Sequence, residues 1–343
     1  MNDNDKFFLD QLQSLLDIDS TTGRYRKIQN YIEQQAAQFG YTFQETHKGG
    51  VIVDLGGYGD DLVLTAHLDT IGLMVRKINP DGTLNVCNVG GLYPLYCVGE
   101  NVRIYTRDEK VFTGTVCRTP ASVHVTENEL KNELGDFRKN VCVVLDEDVK
   151  DNSDVSSLGI EVGDVISLDH RYNYSNGYIK SRFIDDKACA ALLLYLMKYI
   201  KDNNITLNRK VLLYFACYEE IGHGTTYLPE GVRDIIALDI APTGPDQCSD
   251  ERKVSIFAKD SRFPYHYELA NELRDSAIKE NIDYCMDVFT PHYGSDGDGS
   301  VMAGYDIRHG AIGPGTANSH GYERTHISGL MNTFALIKSF LHI

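Results

Sequence analysis

Residues 209–224 read RKVLLYFACYEEIGHG. Two basic residues lead into the apolar run VLLYFAC, which breaks off at two adjacent carboxylates and a glycine-bounded turn. An apolar run without alternation is the signature of a strand covered on both faces, as in a parallel sheet sandwiched by helices. Such a strand ends on Glu219-Glu220 only where something at the sheet edge needs negative charge. In α/β folds the carboxyl ends of the strands are where ligands bind.

The same pattern recurs on either side. GGVIVDLGG (49–57), DLVLTAHLDT (61–70), DIIALDIAP (234–242), DYCMDVFT (283–290) and DIRHGAIG (306–313) read as further strands. Helices alternate with them. Phe8, Leu12, Leu15 and Leu16 share one face near the start, and Ile28, Ile32, Ala36 and Phe39 form a second stripe that stops at Gly40. DDKACAALLLYLMKYIKDN (185–203) is apolar nearly all round and so predicts a buried helix. YHYELANELRDSAIKENI (265–282) is amphipathic, and THISGLMNTFALIKSFLHI (325–343) makes a closing helix. Between residues 73 and 175 the character changes to short β-rich segments separated by turns such as Pro80-Asp81-Gly82. The expected fold is α/β, a mixed, largely parallel sheet flanked by helices, with an inserted small β-barrel. The expected domains are 1–72 with 176–343 for the sheet and 73–175 for the insert.

A chain of 343 residues with 42% hydrophobic and 24% charged content has the composition of a globular protein with a sizeable core. Acidic residues outnumber basic ones by 49 to 33, a net charge of −16, which disfavours nucleic acid and anionic membrane as partners. The start lacks the basic and apolar regions of a signal peptide, and the longest apolar stretch is too short to span a bilayer. Eight cysteines without a C-x-x-C pair suit reduced thiols in a cytoplasm, not a disulfide frame or a thiolate zinc site.

Five places set His, Asp or Glu at or just past predicted strand ends or helix starts. They are His67 and Asp69 in AHLDT, Asp185 and Asp186 in RFIDDKACA, Glu219-Glu220, Asp239 in IIALDIAP, and His320, Glu323 and His326 in ANSHGYERTH. Each has an ordinary explanation by itself: Asp caps helices and forms turns, and a loop His is simply polar. Together they place imidazole and carboxylate at one sheet edge. A carboxylate two residues from His67 can accept the second imidazole N–H and fix the metal-binding tautomer. Oxygen and imidazole donors without thiolate suit Zn²⁺, Co²⁺ or Mn²⁺, and the inventory is enough for two metals sharing a bridging carboxylate.

The ordered set AHLD, IDDK, EEIGHG, LDIAP and SHGYERTH resembles the M42 metallo-aminopeptidases, the tetrahedral and deblocking aminopeptidases of the glutamyl aminopeptidase family. The resemblance runs over nearly the whole chain. VCRTPASVHV (116–125) and GIEVGDVISLD (159–169) resemble the inserted domain of that family. It implies a zinc-exopeptidase-like fold, a homo-oligomer, and two divalent ions per subunit. His67 and Asp239 would hold one metal and Glu220 and His320 the other, with Asp185 bridging, Asp69 orienting His67, and Glu219 as general base. Spacing alone does not separate Asp185 from Asp186. The chain departs from the family pattern at Lys187, where Asp-Asp-Arg is usual, at HGYERTH, and at YGSDGDGS (293–300).

The implied function is removal of N-terminal residues from short peptides by a water held between the metals, with Glu219 moving its proton. A related dinuclear amidohydrolase, taking acylated amino acids or C-terminal residues, would use the same ligands. A scaffold that had lost its chemistry would be expected to have lost a ligand or the base as well, and this chain has all of them.

Overall fold

A computed structural model of the chain describes residues 3–119, 122, 124 and 135–343. Two units separate by their internal contacts. One comprises the chain up to Asp69 together with Arg171–Ile343, the other Thr70–His170. Of the stretch VCRTPASVHV, residues Pro120, Ala121, Val123 and Val125 lie outside the described residues.

The larger unit begins with helices Asp3–Leu16 and Arg26–Phe39, followed by strands β1 (Thr42–Glu45), β2 (Val51–Asp54) and β3 (Asp61–His67). The smaller unit supplies β4 (Gly72–Ile78), β5 (Leu84–Val89), β6 (Asn101–Tyr105), β7 (Val111–Arg118), β8 (Val141–Leu145) and β9 (Val165–Leu168). These six close into an antiparallel barrel in the order β4-β5-β8-β7-β6-β9, which leaves no open edge. A short helix, Asn152–Leu158, interrupts the strands, with the Asp151 side chain capping the N–H groups of Ser153 and Asp154.

The larger unit resumes with β10 (Asn173–Ser175), β11 (Tyr178–Ser181), β12 (Val211–Ala216), β13 (Val232–Leu238), β14 (Ala241–Pro242), β15 (Val254–Lys259), β16 (Tyr284–Val288), β17 (Arg308–Thr316) and β18 (Glu323–His326). Among the described residues its main sheet has nine strands, ordered β1-β2-β12-β3-β13-β17-β15-β16 with β14 beside β17. The pairs β12–β3, β3–β13, β13–β17, β14–β17 and β15–β16 are parallel; β1–β2, β2–β12 and β15–β17 are antiparallel. The sheet is therefore mixed and largely parallel, as its apolar runs predict. All positions of β3 and β12 are buried. Helix Ile184–Asp202 lies on β3 and packs in turn against Asp3–Leu16 and Arg26–Phe39. Tyr267–Lys279 and Ile327–Leu341 cover β15 and β17.

Strand order places the chemistry. β3 lies between β12 and β13, all three parallel, with Ala216 level with His67 and Ala237 level with Thr65. The chain past each of these strands therefore leaves the sheet at one rim. Several elements depart from the sequence expectation, among them β1, β10, β11 and the helix Asn152–Leu158 in the insert. The segment Glu323–His326, expected as loop, is β18 and pairs with β11, and His326 caps the last helix by accepting the Ser328 N–H at 3.0 Å. β15 adds a strand, and within YGSDGDGS begins the helix Asp296–Met302, whose two internal glycines hide it from propensity.

Candidate active site

β3 delivers His67 to the rim, 2% exposed. Its Nδ1 lies 2.9 Å from the Asp69 carbonyl oxygen. A carbonyl only accepts, so Nδ1 carries the hydrogen and Nε2 faces the site. Nε2 is 3.1 Å from Asp185 Oδ1 and 3.7 Å from Glu219 Oε2. The Asp69 carboxylate, expected on the ring N–H, stands 3.8 Å from it and is used elsewhere. It accepts the backbone N–H of Glu219 at 3.1 Å and of Glu220 at 3.3 Å, and the Thr22 hydroxyl at 2.6 Å. Asp69 thus braces His67 through its backbone and the Glu219-Glu220 turn through its side chain.

Asp185 and Asp186 are joined by a cis peptide and neither has helical dihedrals, so the regular helix begins after them. Phe183 occupies the cap position without a side-chain hydrogen bond, and the two carboxylates are free for other work. Asp185 presents Oδ1 to His67 and Oδ2 to His320 Nε2 at 3.6 Å. Asp186 turns back: its Oδ2 accepts the His67 N–H at 3.1 Å, and its fully buried Oδ1 has no hydrogen-bond partner.

His320, at a left-handed φ of 62°, sets Nε2 3.5 Å from Glu220 Oε2. Among the described residues two groups bring ligand atoms within 4.8 Å of one another, His67–Asp186–Asp239 and His67–Asp185–Glu220. The expected residues His67, Asp185, Glu219, Glu220, Asp239 and His320 therefore meet at one rim.

The charges there are unbalanced. Burial pushes Glu220 up to about 8, and burial with the Asp185 charge pushes Asp239 up to about 7. Glu219, Asp186 and Glu323 are raised well above the usual carboxylate range, first by burial and then by one another's neighbours. Burial would raise Asp185 too, but the hydrogen bond from His67 and the nearby His320 hold it low. Burial opposes charge on His67, yet Asp185, Glu219 and Asp186 outweigh it and lift its pKa well above normal. Burial keeps the nearby thiols of Cys189 and Cys217 neutral. This is a nest of oxygen and imidazole donors whose repulsion dications would relieve, with an orphaned buried oxygen on Asp186. Such a donor set fits divalent metal.

The structure adds residues that sequence reasoning left without a role. Glu323, 2% exposed, accepts the Asp185 N–H at 3.0 Å and the His320 N–H at 3.1 Å. Asp296, buried behind the site, accepts the Thr65 hydroxyl at 3.0 Å. The sequence signal for Glu323 was its place between two histidines in HGYERTH; Thr22 and Asp296 gave none.

The family model for M42 glutamyl aminopeptidases matches residues 49–336. YhfE of Bacillus subtilis (strain 168) is 39% identical over 333 residues, 96% of this chain and 95% of the relative. The glutamyl aminopeptidase of Lactococcus lactis subsp. cremoris (strain MG1363) is 23% identical over 221 residues, 62% of this chain and 60% of the relative. In fold, the chain is similar to the TET1 peptidase of Pyrococcus horikoshii, with a TM-score of 0.85 at 21% identity, covering 97% of this chain and 99% of that one. With the family match spanning both units and the site at the expected rim, the chain belongs to the M42 glutamyl aminopeptidase family and is an aminopeptidase.

Proposed function

We propose that this aminopeptidase works with two divalent metal ions per subunit, zinc foremost and cobalt or manganese as alternatives. His67 and Asp239 would hold one, Glu220 and His320 the other, and Asp185 both. The observation that carries this is Asp185 itself: one buried carboxylate directs each of its oxygens at a different imidazole, 3.1 Å from His67 and 3.6 Å from His320. Ions bound there supply Lewis acidity, making an attacking water acidic and polarising the scissile carbonyl.

The protein's own groups do the rest. Glu219 stands 3.7 Å from His67 Nε2, near the ligands, and its raised pKa suits a group that accepts a proton from water and returns it to the departing amine. Asp69 holds the backbone of that base and of its neighbour Glu220. Glu323 keeps Asp185 and His320 facing each other.

The substrates we infer are short peptides with a free N-terminus, in keeping with the family description and with the Lactococcus lactis relative's name. A homo-oligomer is supported by the Pyrococcus horikoshii TET1 peptidase, which can assemble into a tetrahedron or a large octahedral shell. Eight free cysteines favour a reducing cytoplasm as its setting.

Glu219→Gln tests the base. The variant should retain two metals per subunit while kcat on an aminoacyl anilide falls about 10²- to 10⁴-fold; near-wild-type turnover would overturn the assignment. His320→Ala should lower metal content, and unchanged stoichiometry would count against its ligand role. Cleavage of an N-acetylated anilide in preference to the free one would favour a deacylase.

A further inference from the structure

The two functional glutamates stand on a single turn of 3₁₀ helix, Glu219–Ile221, between two left-handed residues, Tyr218 at φ 70° and Gly222 at φ 72°. The turn is closed by Gly222 N–H to the Glu219 carbonyl at 2.6 Å and His223 N–H to the Tyr218 carbonyl at 2.9 Å. So short a helix has little stability of its own. Its amide end is held by Asp69, as described.

Its other end is held by Lys48. From the bend between β1 and β2, the Lys48 ammonium donates to the His223 carbonyl, to the Gly224 carbonyl at 2.8 Å and to Thr226 Oγ1 at 2.6 Å. The His223 ring Nδ1 lies 3.2 Å from the same ammonium, so four polar atoms of residues 223–226 surround its three donors. The bend cannot shift easily. Gly49, at φ 86°, lies under the Tyr25 ring, where a Cβ would come within 2.0 Å of a ring carbon, and Gly50 N–H donates to Thr46 Oγ1 at 2.9 Å. Across the segment from Lys48, the Thr225 hydroxyl donates to the Asp296 carbonyl, and the Ser300 hydroxyl donates to the Thr225 carbonyl at 2.6 Å.

We propose that Lys48 is a positioning residue for the aminopeptidase reaction. With a carboxylate on its amides and an ammonium on the carbonyls that follow, the Glu219-Glu220 turn is clamped by opposite charges from opposite ends. The clamp fixes where the Glu219 carboxylate stands relative to the Glu220 carboxylate, and displacement of about 1 Å at such a group can cost 10²-fold in rate. The inference rests on the reading of Glu219 as base.

The test uses the metal-loaded full chain and an aminoacyl anilide, comparing Lys48→Met, Thr226→Val, the double variant and Glu219→Gln. Lys48→Met should lower kcat at least about tenfold with KM within about twofold, leave metal content and Tm unchanged, and speed hydrogen exchange at residues 219–226. Thr226→Val should cost less alone and nothing further on top of Lys48→Met, because the two share one contact. The proposal is overturned by kcat within twofold of wild type, by a rise in KM at constant kcat, by additive losses, or by a kcat loss that tracks lost metal or Tm. An active Glu219→Gln would sink the reading of the base; an inactive Glu219→Gln beside an active Lys48→Met would sink the clamp alone.

Discussion

Glu323 shows how much one side chain can organise. Its two oxygens accept two backbone N–H groups, at Asp185 and at His320, which are the carboxylate facing both imidazoles and one of those imidazoles. His320 is a non-glycine residue at φ 62°, a conformation that needs outside support. Removing the acceptor leaves the buried Asp185 N–H unpaired, at about 1–3 kcal/mol, and the half-buried His320 N–H unpaired at less. Glu323→Ala should therefore weaken metal binding about 10- to 100-fold and lower stability, as metal titration and urea unfolding would show. Glu323→Gln, which can still accept one N–H, should fall between. An alanine variant with wild-type metal affinity would mean that Asp185 and His320 are positioned without it. The residue types at this site were legible in the sequence because imidazole and carboxylate stand out at the ends of apolar strands. That the Glu323 side chain would meet a backbone N–H 138 residues away, at Asp185, was not. Asp69 illustrates the same limit. Its i, i+2 relation to His67 suggested a shared face, but β3 ends at His67, so alternation lapses, and the carbonyl takes the ring while the carboxylate takes another loop.

Between residue and molecule stands the strand pair β13–β17, which sets Asp239. Past the end of β13, Asp239 donates its N–H to the Ile312 carbonyl at 3.0 Å, and the next residue of β17 is Gly313. A Cβ on Gly313 would lie 1.5 Å from the Asp239 carbonyl oxygen, so only glycine lets the two chains run this close. Because the obstacle is backbone, no rotamer change relieves it. Gly313→Ala should cost about 3 kcal/mol and reduce metal content together, since the chain carrying Asp239, the proposed ligand, must move. Gly310→Ala on the same strand, whose Cβ would first meet the Leu269 side chain at 3.2 Å, is the control and should cost less. Comparable losses in the two variants would detach Asp239 from the close approach. Strands such as β3, β12 and β13 were legible because burial on both faces writes an unbroken apolar run. β18 was not, because its pairing with β11 is supplied by tertiary contact and not by the sequence ERTH itself. The Asp296–Met302 helix is a similar case: Ser295 and Asp298 form a capping box that offsets two glycines, a local device masked by their low propensity.

For the whole molecule, the crowded rim makes stability without metal a function of pH, with a determined sign. Folded, Glu220 holds its proton up to about 8 and Asp239 up to about 7, against ordinary values of 4.5 and 3.8. Between those limits the folded metal-free chain binds protons that the unfolded chain has released. Stability must then fall as pH rises, by about 1.4 kcal/mol per pH unit for each such proton. His67 acts in the same direction, because its raised pKa gives stability at low pH that is lost as pH climbs through its folded value. Asp185 has the opposite sign, but its lowered pKa places that loss below about 3.8, outside this window. Metal ligands are deprotonated when they coordinate, so the loaded chain escapes the fall and binding expels the protons instead. The Tm of chelator-stripped protein should therefore drop between about pH 5 and pH 8 while that of metal-loaded protein stays nearly level, widening the gap with pH. Calorimetric titration of metal at about pH 6, in buffers of different ionisation enthalpy, should register proton release that dwindles towards about pH 9. Parallel stability curves for the two forms, or metal binding without proton release at the lower pH, would mean that these buried carboxylates are not the groups that take the metal.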